Sequence, residues 1–190
     1  MTPKSSFLRS FLTVYCLIIF VGCSDSSVST TSVKESVTPE VSVSEAAVSG
    51  DLESLKQHIA AGSDLNAQNP ESGATALIAA ALFGQTEAAM LLIDAGADLE
   101  LKNNEGSTAL ITAAFVGRVE IVKSLLKSGA DRNSRNKSGS TALDSVQRPF
   151  EEAKPIYDLI QSIFGPYGLE LDYELIKQVR PSIAEILQSE

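Results

Sequence analysis

Side-chain chemistry needs a nucleophile, a base or a ligand set, and this chain holds few of them. Its 190 residues include one histidine, His58, and two cysteines, Cys16 and Cys23. A single imidazole forms neither a histidine pair nor a His-based metal site. With both thiols confined to the first 23 residues, the rest of the chain has no disulfide framework and no thiolate ligands. Serines are abundant, but no Gly-x-Ser-x-Gly turn presents one as a nucleophile, and a Ser–His pair would rest wholly on His58. His58 is expected at the surface or half-buried. The adjacent acids Glu151 and Glu152 read as a solvated face, and glycines occur singly rather than as a phosphate cradle. The expectation is no catalytic residue, no metal, no cofactor and no enzymatic activity.

Cys23 is the exception. Residues 1 to 10 carry Lys4 and Arg9 without an acid, and Phe11 to Val21 is almost wholly apolar. Eleven helical residues reach roughly 16 Å, too short for a hydrocarbon core of about 30 Å. A positive start and a short apolar stretch ending in small residues read as a secretory signal peptide over residues 1–22. Phe20-Val21-Gly22-Cys23 resembles a bacterial lipobox, with Phe20 where Leu is usual. That resemblance implies lipidation of Cys23, with at least two acyl chains holding the protein stably to a membrane. Ser24 then favours the outer membrane, periplasmic side. Residues 23–44 follow as a Ser- and Thr-rich tether, too poor in apolar surface to order itself.

The formal charge of −9 deepens to −11 once residues 1–22, with Lys4 and Arg9, are removed. Nucleic acid and anionic lipid surfaces both call for a basic footprint, so neither is an expected partner of the domain.

The elements that must position everything else are announced by an echo. Thr75-Ala76-Leu77-Ile78 returns as Thr108-Ala109-Leu110-Ile111 and begins again at Thr141-Ala142-Leu143. A fixed period of this length denotes stacked supersecondary units, none of which buries its apolar face alone. Thr75 and Thr108 are natural N-caps, and Gly84 and Gly117 end the first helix of each unit. Glu87 and Glu120 suit the positive end of the second helix, whose core rows are Leu91-Leu92 and Leu125-Leu126 before Gly96 and Gly129.

These residues resemble the ankyrin repeat. Gly106-Ser107-Thr108-Ala109-Leu110, Ala113-Ala114, Gly117, Glu120-Ile121-Val122, Leu125-Leu126 and Gly129-Ala130-Asp131 carry the match. The resemblance implies an all-α solenoid of three to four helix-turn-helix units, over 45–68, 69–101, 102–134 and a partial unit at 135–146. Ile78, Ile111 and Asp144 stand at the usual His position, which implies less rigid loops. Beyond Val146 the period is lost. Residues 147–190 are expected to form a helical cap, with Ile156, Leu159, Ile160 and Ile163 as one apolar row and Pro181 opening a last short helix.

A stack of this kind makes surfaces rather than pockets. The resemblance implies partner contact through loop tips and the concave side of the inner helices. By position these residues are Glu71, Ser72, Ala74, Leu82 and Phe83, then Asn104, Glu105, Ser107, Phe115 and Val116, then Lys137, Ser138 and Ser140. Leu82 and Phe115 would form an apolar stripe facing another protein. The expected function is a monomeric, lipid-anchored cell-envelope module that binds a protein in its groove. The alternative is an inhibitor or immunity-type protein that shields an envelope enzyme.

Overall fold

The computed structural model describes residues 41–189. The signal peptide, Cys16, Cys23 and nearly all of the tether lie outside the described residues. Each unit begins where a short polar side chain stops the chain and caps a helix. Ser42 starts α1 (Val43–Ser49) with a reciprocal box: its hydroxyl accepts from Glu45 N, and Glu45 Oε2 accepts from Ser42 N at 2.9 Å. Val43 and Ser44, assigned to the tether from composition, are therefore helical. Asp51 caps α2 (Leu52–Ala61), accepting from both Glu53 N and Ser54 N. Thr75, Thr108 and Thr141 cap α3 (Ala76–Phe83), α5 (Ala109–Phe115) and α7 (Ala142–Gln147) in the same way. α4 (Thr86–Asp94) and α6 (Val119–Lys127) start without a side-chain cap, each with a glutamate in its first turn.

α1, α3, α5 and α7 pack side by side as an inner layer, with α2, α4 and α6 behind them. Alanine makes that spacing possible. Ala46, Ala47, Ala80, Ala81, Ala113 and Ala114 have no accessible surface, so inner helices meet almost backbone to backbone. Between the layers lie Leu55, Leu92 and Leu125, also without accessible surface, with Ile93 and Leu126 beside them. The second-helix row is thus Leu92-Ile93 and Leu125-Leu126, one residue later in the second unit than expected.

The fourth unit, expected to be partial, has a second helix. After α7 the chain leaves the stack, forms α8 (Phe150–Phe164) and a 3-10 turn (Gly165–Tyr167), and returns as α9 (Tyr173–Gln188). α9 packs on α7 and beside α6, so it occupies the outer-layer place of the fourth unit. Residues 148–172 are an insertion between that unit's two helices. α9 also runs unbroken through Pro181, where the sequence suggested that a separate short helix opens. Proline removes one hydrogen bond from the helix, and packing of Ile183 and Leu187 into the core outweighs that local loss.

The loops are not slack either. Asn69, Asn103 and Asn136 each fold a finger tip by accepting two backbone N–H groups, from Glu71 and Ser72, Glu105 and Ser107, and Ser138 and Ser140. Successive fingers are then bonded together: Asn104 N donates to Ser72 O at 2.8 Å, and Lys137 N to Glu105 O at 3.0 Å. Gly73 and Gly106 make this approach possible, since a Cβ on Gly106 would lie 2.8 Å from Lys137 N. Asparagine turns and close glycines do the work of the missing histidines. His58 itself is buried, with Nε2 donating to Val41 O at 2.7 Å and Nδ1 3.0 Å from the Ser63 hydroxyl.

Candidate partner-binding groove

The inner helices end in a row of turns, and there the sequence-based groove and the structure part company. Each turn is gripped by its successor. Gln85 Nε2 donates to Val48 O at 2.9 Å, and one repeat later Arg118 Nη2 donates to Leu82 O at 3.3 Å. Arg118 lies so close over Gly84 that a Cβ there would sit 2.7 Å from the guanidinium. Burial pushes the Arg118 guanidinium below its ordinary value, and its Nε has no partner among the described residues. For the third turn, Ile176 and Val179 of α9 close over Gly117.

α8 lies across these helix ends. Tyr157 stacks on Phe115 with ring centroids 4.4 Å apart, and Phe164 meets Phe83 edge-on at 6.1 Å. The register has a simple origin. Seven helical residues advance about 10.5 Å, close to the 8–10 Å between packed helices. Residues seven apart on α8, Tyr157 and Phe164, therefore meet residues of adjacent repeats below it. The tail covers part of the apolar stripe. Phe115 is packed under Tyr157, and Val116 is only 1% exposed. Leu82 and Phe83 stay half-buried.

A polar relay holds α8 in place. Tyr157 Oη donates to Phe115 O at 2.7 Å and accepts from Arg180 Nη1 at 2.7 Å. Arg180 Nη2 donates to Ser145 O at 3.2 Å and also to Arg148 O. A guanidinium only 5% exposed, in no ion pair among the described residues, is thus satisfied by carbonyls at the C-terminal end of α7, where the helix dipole is negative. Burial pushes the Tyr157 phenol above its ordinary range, against the pull of Arg180. On the outer flank of α8 the Lys154 ammonium and Asp158 carboxylate pair at 2.8 Å, and Tyr173 donates to Asp158 as well. The hydrogen bond to Asp158 raises Lys154, and the bond from Lys154 lowers Asp158.

Of the groove residues read from the sequence, the fingers keep Glu71, Glu105 and Lys137 exposed, none in an ion pair among the described residues. Ser72 and Ser107 are half-buried within the tips. Asn104, though exposed, has its side-chain amide engaged with Glu71 O at 2.7 Å. Glu71, Glu105 and Lys137 thus stand one on each of three successive fingers, 34 and then 32 residues apart. Sequence reasoning missed Tyr157, Arg180 and the turn residues Gln85 and Arg118. The last pair stand 33 residues apart, so the period held the signal although the residue types differ. Among the described residues no group of three or more His, Cys, Asp or Glu side chains is placed to hold a metal, and no helix is long and apolar enough to cross a membrane.

Against known proteins, the family model described as ankyrin repeats (3 copies) matches residues 43–136. It starts at Val43, where α1 starts, and stops short of α7. No curated protein matches the chain significantly. Capped helix pairs at a 33-residue period, bonded fingers and the family match agree: the chain is an ankyrin-repeat protein.

Proposed function

We propose that this chain is a protein-binding module that takes its partner along the finger edge and the adjoining open part of the concave face. The observation that supports it most is the set of three successively bonded finger tips, which keep Glu71, Glu105 and Lys137 exposed, one on each finger. Rigid loops presenting side chains at fixed intervals lose little entropy on binding. In this reading the module is anchored by lipid on Cys23 in a bacterial cell envelope, on the periplasmic side of the outer membrane, with residues 24–40 as a leash. The lipobox-like Phe20-Val21-Gly22-Cys23 supports that part.

Two experiments test the reading separately. Crosslinking in intact envelopes with the full chain should capture a protein partner, and the Glu71→Lys/Glu105→Lys/Lys137→Glu variant should lose it. Undiminished capture would remove the fingers from the interface. Radiolabelled palmitate should enter the wild type and not Cys23→Ser, which should leave the membrane fraction; a membrane-bound Cys23→Ser protein would refute the anchor.

A further inference from the structure

The stack closes without α8. α9 packs directly on α7 and beside α6, and no residue of α8 enters the main core. The buried face of α8 belongs instead to a separate small cluster, in which Ala153, Tyr157 and Ile176 are ringed by Phe115, Phe150 and Tyr173. Both ends of α8 are breaks. Arg148 and Pro149 are extended before it, and a 3-10 turn follows it. Gly168 then turns the chain at φ 92°, with no atom within 4 Å of where a Cβ would stand. α8 is a strap fastened over the C-terminal ends of α3 and α5.

The fastening has a pattern. Phe150, Tyr157 and Phe164 recur at seven-residue steps, about two helical turns apart, and so share one face. Phe164 meets Phe83, Tyr157 stacks on Phe115, and Phe150 extends the row by stacking on Tyr157 at 5.4 Å. The stack supplies two cations to this face. Arg180 donates to the Tyr157 hydroxyl, while Lys177 lies 4.7 Å from the centre of the Phe150 ring and 3.9 Å from Glu151. A surface that grips rings one repeat apart and answers a hydroxyl and an acid between them is a helix-binding surface, with α8 as its ligand in cis. The cover is incomplete, since Leu82 and Phe83 stay half-buried.

We propose that the surface beneath α8 is a second docking site, for a helix of another protein, and that α8 holds it shut by competition. The occupant on the page defines the ligand: a helix with aromatic residues at seven-residue steps, a hydroxyl on the middle ring for Arg180, and an acid beside the first ring for Lys177. Because α8 is joined to the stack at both ends, its effective concentration is high, and the site is open in only a fraction of molecules. The apparent affinity for a partner falls by that fraction. The proposal rests on the chain being a binding module, but not on the fingers.

The test uses the full chain and a fluorescein-labelled peptide of residues 149–166 as the probe, read by anisotropy. Tyr157→Phe and Phe164→Ser each loosen one fastening of α8, and each chain should bind the peptide about 10-fold or more tightly than the wild-type chain does. A peptide with serine at both 157 and 164 should not bind. Adding Phe115→Asp or Phe83→Ser to the Tyr157→Phe chain should weaken the peptide again by about 10-fold or more. Equal binding by the wild type and both loosened chains, binding by neither loosened chain, or binding that survives both Phe115→Asp and Phe83→Ser would overturn the proposal. So would dimerisation of the wild type, seen by light scattering and abolished by Phe115→Asp, since the occupant would then be a second copy. Adding Glu71→Lys/Glu105→Lys to the Tyr157→Phe chain should leave peptide binding unchanged. Loss there would move the peptide to the fingers, overturning the site beneath α8 while leaving the finger reading intact.

Discussion

Replacing Tyr157 by Phe isolates one oxygen. The ring stays and keeps its stack on Phe115, but Phe115 O loses its donor and Arg180 Nη1 its acceptor. Arg180 is 5% exposed, so water has little access to replace either partner. A hydrogen bond to a charged group contributes about 1.5–3 kcal/mol net, and the abandoned carbonyl adds to the loss. We expect a destabilisation of about 2 kcal/mol, or roughly 4–8 °C in melting temperature for a domain of this size. Urea titration by circular dichroism measures the first quantity. Hydrogen exchange supplies the location, since repeats stabilise only their neighbours: protection should fall over α8 and α9 and stay unchanged over α1 and α2. Arg180→Met should cost more, for it also strips Ser145 O and Arg148 O of their donor. In the Arg180→Met background Tyr157→Phe should cost about 1 kcal/mol less than alone. A Tyr157→Phe protein within about 0.5 kcal/mol of wild type, or strict additivity of the two changes, would refute the relay.

Tyr157 also sets an alkaline limit. Its folded-state pKa lies above the ordinary 10.0, so its stabilisation is complete below pH 10 and lost as pH rises through the folded value; melting temperature should fall above pH 10, and less so in Tyr157→Phe. At the acid end, hydrogen bonds from the Ser42 amide, the Ser54 hydroxyl and the Thr141 amide hold Glu45, Asp51 and Asp144 below their ordinary 4.5, 3.8 and 3.8. That stabilisation is present above those values and disappears as pH falls through the folded ones, and Asp144→Asn should blunt the loss in melts taken between pH 6 and 3. Gly106→Ala should cost about 1 kcal/mol more than Gly129→Ala by urea titration. Both glycines have positive φ, but only the first meets a neighbouring backbone. Phe115→Asp should lower the melting temperature, because a carboxylate there would replace the ring that stacks on Tyr157.

What could be read from the chain was whatever the period repeats. Caps at Thr75 and Thr108, turns at Gly84 and Gly117, and alanine contacts recur because each unit solves the same packing problem. The fourth unit was illegible for the opposite reason. Its outer helix lies beyond residues 148–172, and periodicity cannot bridge an insertion of unspecified length. The apolar row of α8 misled in a different way. Ile156, Leu159 and Ile163 have core spacing, yet the larger stacking area and hydroxyl of Tyr157 turn the helix the other way. For the groove, finger residues followed from position alone. Val116 did not, since it follows the last helical residue, Phe115, as the C-cap of α5, where the turn and not a helix face sets its burial.

The split of the fourth unit bears on how the chain reaches its final shape. In an ordinary repeat array each helix finds its mate a few residues later, and assembly proceeds outward like a zip. Here α7, six residues long, waits for α9. Spanning the insertion in place of a short turn adds about 1–2 kcal/mol of closure entropy. During synthesis the first three pairs can settle while the fourth stands half-made, its α5-facing side covered and its outer side bare. Closure then comes in one step, when α9 docks and Arg180 reaches both the end of α7 and Tyr157. The molecule therefore carries its own completion check: α8 is clasped only after the entire domain has emerged.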